Sequence, residues 1–294
     1  MALEPEGCLV VDKPAGWTSH DVVARARRLL GTRKVGHAGT LDPDATGVLV
    51  LGVGRATRLL RFATLLYKTY VAEIVLGVAT TTLDASGEVT GRADMSAVSF
   101  DEIRQAALSL TGRIEQVPPM VSAVRVAGRR LHEIAREGRE VERAARQVDV
   151  VRFDVFPTGE HEVLRVLVEC SSGTYVRVLA VDLAARLGGV AHLRSLRRLS
   201  VGSFSDKEAL SLDEVAPSAL RPCLELVRDL SRVEAASGEQ LASLRHGRVL
   251  DRSALAVAGE GPWAVVGPEG DLIAVCEARG RDRVRPVVVL APAR

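Results

Sequence analysis

The stretch 36-GHAGTLDPDATG-47 holds the densest run of turn-forming and ionisable residues in the chain. Gly36, Gly39 and Gly47 relax the backbone, which predicts a tight irregular loop feeding a strand. Pro43 pushes Asp42 toward an extended conformation and so holds its carboxylate in a defined direction. Asp42 is therefore a candidate catalytic carboxylate, although Asp42 and Asp44 would equally serve as ordinary turn residues. His37 has no second histidine at metal-ligand spacing and reads as a hydrogen-bonding loop residue rather than a ligand.

Outward from this loop the chain alternates strands and scattered helices. Cys8 to Val11, Gly47 to Val53, Tyr70 to Leu76 and Val163 to Glu169 read as strands. A helix is expected from about residue 20, with Ser19 as N-cap, an apolar stripe of Val22, Val23, Ala26, Leu29 and Leu30, and Gly31 as its end. Ser99 with Glu102 predicts a capping box before a helix at 100–111, and a further helix is expected from Tyr175 to Leu187, ending at Gly188. Residues 122–146 have helical spacing but little apolar surface, which predicts an exposed, mobile arm. From about residue 230 short strands and Gly/Pro turns (GPWAVV, GPEGD, LIAVCEA, VRPVVVL) predict a small β-rich module. The pattern is α+β, with a catalytic domain at 1–229 and a C-terminal domain at 230–294.

Length and composition, 294 residues with 26% charged and 47% apolar, are those of a folded chain able to bury a core. The net charge of +2 argues at first against a nucleic-acid partner. The charge is segregated, however. Basic residues exceed acidic ones in 21–68, 122–146 and 171–202, and the reverse holds in 69–121 and 206–244. A local field can attract phosphate while the whole chain is nearly neutral. Arg194, Arg197 and Arg198 are candidates to track a phosphate backbone, or else form a solvated strand edge. Four dispersed cysteines without a CxxC pair predict free thiols and neither a zinc site nor a disulfide framework. The residues at the N-terminus do not read as a signal peptide, and no apolar run is long enough to cross a bilayer, so a cytoplasmic location is expected.

Two further patterns were weighed. Gly52-x-Gly54-x-x-Thr57 lacks the third glycine of a dinucleotide fingerprint, and Glu73 lies mid-strand. In 170-CSSGTYVRVLAVDLAARLG-188, Ser172 lacks a GxSxG elbow and is not read as a nucleophile, whereas Arg177 is a good partner for a carboxylate or a phosphate.

The segments LVVDKPAGWTSHD, GHAGTLDPDATG, CSSGTYVR and HLRSLRRLSVG occur in this order over roughly residues 8–205. Together they closely resemble the TruB family of tRNA pseudouridine-55 synthases, and the final module resembles that family's PUA-like RNA-binding C-terminal domain. The resemblance implies a mixed, largely antiparallel central sheet flanked by helices, the pseudouridine synthase fold. It implies isomerisation of uridine to pseudouridine in the T-arm loop of tRNA, with no cofactor, no metal and no obligatory protein partner, by a monomer. It makes Asp42 the catalytic aspartate, either attacking ribose C1′ or taking a proton from C2′. Arg177 would pair with Asp42, Tyr70 would stack on the target base, and Tyr175 and Leu196 would line the pocket. His37 would support the gap left by the flipped base, and Lys13 would support the floor of the site or meet a backbone phosphate. The arm at 122–146 would clamp the tRNA and be disordered without it.

Asp44 departs from the family's usual apolar residue; a second carboxylate facing the pocket would raise the pKa of Asp42, so Asp44 is expected to point to solvent. A tRNA-folding chaperone with secondary catalysis is the rival reading. A guide-RNA-dependent relative and a glycosidase rank lower, the last for want of a second well-placed carboxylate.

Overall fold

The computed structural model describes residues 4–290 apart from 123, 124, 127, 128, 131–133, 135, 136, 138, 140 and 236. The mobility expected of the arm at 122–146 falls largely outside the described residues. Within the arm a two-residue ribbon, Arg125–Val126 against Arg129–Arg130, stands where the spacing is helical.

The main sheet contains β1 (Gly7–Lys13), β2 (Val35–His37), β3 (Thr46–Val53), β4 (Lys68–Leu76), β5 (Gly112–Gln116), β6 (Arg146–Pro157), β7 (Val163–Cys170), β8 (Ala191–Val201) and β9 (Phe204–Ser205). Its order is β1-β3-β8-β4-β7-β6-β5, with β2 on β3 and β9 on β8. Every pairing is antiparallel except β8 with β3, so the expected mixed, largely antiparallel sheet is present. One edge of β3 is shared. Its start pairs with β8 at Arg197↔Thr46 and Arg198↔Gly47, and its end pairs with β2 at His37↔Leu51. The loop between β2 and β3 therefore projects beside β8. Gly47 makes this crossing fit, because it sits at φ 100° and a Cβ there would lie 2.2 Å from the Arg198 carbonyl oxygen.

The helices are α1 (Ser19–Leu30), α2 (Leu60–Leu65), α3 (Phe100–Leu108), α4 (Val176–Arg186) and α5 (Gly238–Arg245). The N-cap of α1 is Thr18, not Ser19: Thr18 and Asp21 close a capping box one residue earlier than expected. Helix α3 stops at Leu108 rather than 111, because the Ser109 and Thr111 hydroxyls fold back onto the Ala106 and Leu108 carbonyls ahead of a glycine at φ 87°. Strand β4 turns Tyr70, Ala72, Ile74 and Leu76 into a core shared with α3 and α4.

A second, five-stranded sheet is formed by β10 (Ser231–Glu234), β11 (Leu250–Asp251), β12 (Trp263–Val266), β13 (Leu272–Arg279) and β14 (Arg283–Val289), in the order β10-β12-β13-β14-β11. Trp263, Val265 and Ile273 pack under α5, while Ala264, Val275 and Val288 join a core with Val10, Leu59 and Phe62. Arg58 donates to the Val289 carbonyl at 2.8 Å and Arg61 to Glu277 at 3.0 Å, so α2 and the turn before it dock on this sheet. Among the described residues no helix is long and apolar enough to cross a membrane.

Candidate active site

The β2–β3 loop is held from three directions, and Asp42 stands between the anchors. Arg198, only 1% exposed, donates through Nη2 to the Gly39 carbonyl at 3.1 Å and through Nε to the Val48 carbonyl at 2.7 Å. The Ser19 hydroxyl accepts from the Leu41 amide at 2.9 Å and donates to the Leu41 carbonyl at 3.2 Å. Lys13 donates to the carbonyls of Pro14, Trp17 and Pro43 at 2.9, 2.6 and 2.8 Å. Each anchor uses a buried polar group whose loss would leave carbonyls or an amide unpaired.

The Asp42 side chain remains 40% exposed, while Arg177, at the start of α4, is 4% exposed. Arg177 forks onto the carboxylate, Nε to Oδ2 at 2.9 Å and Nη2 to Oδ1 at 3.0 Å. Its remaining donors reach the Thr82 and Val121 carbonyls, both at 2.9 Å, and Asp84 lies 3.5 Å away. Burial raises the Asp42 pKa above the usual aspartate value, Arg177 opposes this, and the Asp84 charge adds to the rise. Burial likewise raises the Tyr70 phenol, which stays protonated near neutral pH.

A cleft of about 440 Å3 opens over Asp42, within the range of small-ligand sites. Its walls include His37, Asp42, Tyr70, Tyr175, Arg177 and Leu196. Six of the seven residues expected at the site therefore converge, from β2, the loop, β4, β8 and the start of α4. Gln116 fixes Tyr175 by accepting from its amide at 2.9 Å and donating to its carbonyl at 3.3 Å. His37 packs edge-on against His20 with ring centroids 5.5 Å apart, and burial lowers it to about 4, so it is neutral. Asp44 is exposed, as expected, and lines a different groove with Thr46 and Glu73.

The exception is Lys13. It is fully buried with its ammonium shared among three carbonyls, and burial lowers it to about 8. It supports the loop from below. Of the three arginines expected either to track a phosphate backbone or to form a solvated strand edge, only Arg198 is withdrawn from the surface. Arg198 is buried in the loop, Arg197 forks onto Asp12 at 3.0 and 2.9 Å, and Arg194 reaches Glu160 at 2.8 Å. Two of the five arginines of 171–202, Arg177 and Arg198, are thus consumed inside the fold. Four positioning residues escaped the sequence reading. Asp84 lies in an acidic segment without a motif, Ser19 reads as a cap, Arg198 reads as a charge at a strand edge or on a phosphate, and Gln116 carries no local signal.

Among the described residues no group of three His, Cys, Asp or Glu side chains could hold a metal ion. Residues 27–176 match the profile of the TruB family pseudouridylate synthase (N terminal domain), and residues 227–291 match that of tRNA Pseudouridine synthase II, C terminal. The chain belongs to the TruB family. It is 49% identical to a tRNA pseudouridine synthase B of Rhodococcus jostii over 98% of this chain and 94% of that one, and 46% identical to the protein of that name from Thermobifida fusca over 97% and 99%. A chain of a Cbf5–Nop10–Gar1 complex is 27% identical with a TM-score of 0.74, covering 98% of this TruB-family chain and 84% of that one. A chain of an H/ACA RNP bound to a substrate RNA containing 2'-deoxyuridine shares the fold at 23% identity, with a TM-score of 0.74 over 98% and 86%. As a pseudouridylate synthase of this family the protein is an isomerase, and its aspartate–arginine pair lines one cleft.

Proposed function

We propose that the protein isomerises uridine to pseudouridine in the T-arm loop of tRNA, at position 55, acting on a base flipped out of its stack. The Arg177–Asp42 fork in the mouth of the cleft carries this reading. The N1–C1′ bond breaks, the uracil turns, and C5 bonds to C1′; the C5 proton leaves and N1 takes one up. Atoms and electrons balance without a redox partner, so the reaction is written with no cofactor. Uracil leaves as a stabilised anion, which suits a single essential carboxylate. Asp42 acts on the ribose, as nucleophile at C1′ or base at C2′. Arg177 keeps it ionised and aimed, Tyr70 stacks on the uracil, Tyr175 and Leu196 wall the pocket, and His37 supports the vacated space in the RNA loop. Flipping is required because the target atoms are shielded inside a folded loop.

In this reading residues 1–229 are the catalytic domain and 230–294 a PUA-like RNA-binding domain, and the protein acts as a cytoplasmic monomer without a protein partner. Incubation with an unmodified tRNA transcript, followed by nucleotide-by-nucleotide mapping of pseudouridine, tests it. Conversion at one T-arm uridine is expected; none in that loop would remove the reading. Conversion of bare transcript also separates it from guide-RNA-dependent action.

A further inference from the structure

The chain has three tyrosines, and two of them line the cleft. These are Tyr70 and Tyr175, and Tyr67 is linked through Asp149 to Ser171, which also lines it. Leu66 and Tyr67 join the end of α2 to the start of β4, and Thr64 and Lys68 to either side line the cleft. The Tyr67 side chain is tethered beside the cleft. Its hydroxyl donates to Asp149 Oδ2 at 2.7 Å. Asp149 is itself fixed to Ser171, another cleft residue, through two bonds: its amide donates to Ser171 Oγ at 2.9 Å and its carbonyl accepts from the Ser171 amide at 2.8 Å.

A tyrosine tethered in this way is usually packed, yet Tyr67 remains 42% exposed, beside Leu65 at 72%. Arg113 lies opposite Asp149 in the β5–β6 register, is exposed, and forms no ion pair among the described residues. The surface beside the cleft therefore presents an oriented aromatic ring, an apolar neighbour and an exposed guanidinium. That is the chemistry of a single-strand platform, in which a base stacks on the ring and its phosphate meets a cation.

We propose that Tyr67 stacks an unpaired nucleobase flanking the target uridine, with Arg113 facing the adjoining phosphate, so that the strand is gripped outside the cleft while the uridine is inside. This rests on reading the cleft as the uridine site. A rigid ring loses little conformational freedom on stacking, and the Asp149 tether reduces that loss further.

The test measures binding of unmodified tRNA transcripts by the full chain carrying Asp42→Asn, which prevents turnover. Each T-arm loop position near the target is made abasic in turn, and proteins with Tyr67, Y67A, Y67F and Y67W are compared. Y67A is expected to raise Kd about tenfold, while Y67F and Y67W stay within about threefold of the parent. At one flanking position the abasic change should weaken the parent and leave Y67A indifferent, the non-additivity expected of groups in contact. The proposal is overturned if Y67A binds as the parent does, if Y67F is as weak as Y67A, or if the two losses simply add at every position. Turnover of the intact transcript by the protein with Asp42 restored is scored separately. Its absence would remove the proposed reaction without moving the binding result.

Discussion

Arg177 and Asp42 lie 135 positions apart in sequence and form a two-point fork of 2.9 and 3.0 Å, with the guanidinium almost wholly buried and the carboxylate open to the cleft. The asymmetry matters. The arginine's other donors are spent on the Thr82 and Val121 carbonyls, so it is a fixed part of the wall, and only the carboxylate faces a ligand. The pair is held, not flexible, because each partner hangs on an element anchored elsewhere.

Asp42→Asn preserves shape and removes the charge. It is expected to abolish pseudouridine formation while tRNA binding, measured by filter retention, changes less than about threefold. If the variant still converts uridine, Asp42 is not the catalytic group.

Arg177→Met removes the charge that opposes the burial-driven rise of the Asp42 pKa. The ionised carboxylate is needed, so activity falls as pH drops through that pKa. With Arg177 gone the pKa rises further, and the acidic limb of the rate profile must move to higher pH. A loss of about 100-fold at neutral pH is expected, the scale of leaving one member of a hydrogen-bonded charge pair alone. An unmoved acidic limb in kcat/KM would separate Arg177 from the ionisation of Asp42.

His37 is lowered by burial to about 4 in the folded protein, against an ordinary value of about 6.5. The unfolded chain therefore binds the extra proton first. Its contribution to stability is complete above pH 6.5 and is lost as pH falls toward 4, with an upper bound of about 3 kcal/mol from about 1.4 kcal/mol per pKa unit. Denaturant titrations of the native protein and His37→Gln at pH 7 and pH 5 should show the smaller drop in the variant.

Gly47→Ala places a methyl group 2.2 Å from the Arg198 carbonyl oxygen at a φ of 100°. The β3–β8 crossing must open or the residue must strain, at a cost of about 2 kcal/mol or more. A lower denaturation midpoint with reduced activity is expected, because Arg198 also holds Gly39 in the loop. Wild-type stability in this variant would show that the crossing is not tightly packed.

Several features were readable locally because their causes are local. The α1 stripe and its Gly31 end, the strand from Gly47, and the Ser99–Glu102 capping box depend on residues a few positions apart. The same locality explains the slip at Ser19: two adjacent hydroxyls compete for the cap, and the choice turns on whether Asp21 sits three residues on from it. The carboxylate loop was legible through Pro43 and its glycines. The roles of the arginines were not, since charge is visible in sequence but its partner is not: Arg198 faces inward to Gly39 and Val48, and Arg197 faces Asp12, 185 positions away.

By itself the sequence determined the α+β class, the position of the turn that carries Asp42, the four ordered motifs and the β-rich end of the chain. These follow from backbone preference, side-chain period and residue order. The tertiary structure alone decided that Lys13 supports the loop from below, that Asp84 shares Arg177 with Asp42, and that Tyr70 and Tyr175 meet in one cleft. Each of these depends on which strands lie side by side. Pairing β3 with β8 and β4 with β7 brings together residues 88 to 151 positions apart, and no local rule of spacing encodes that.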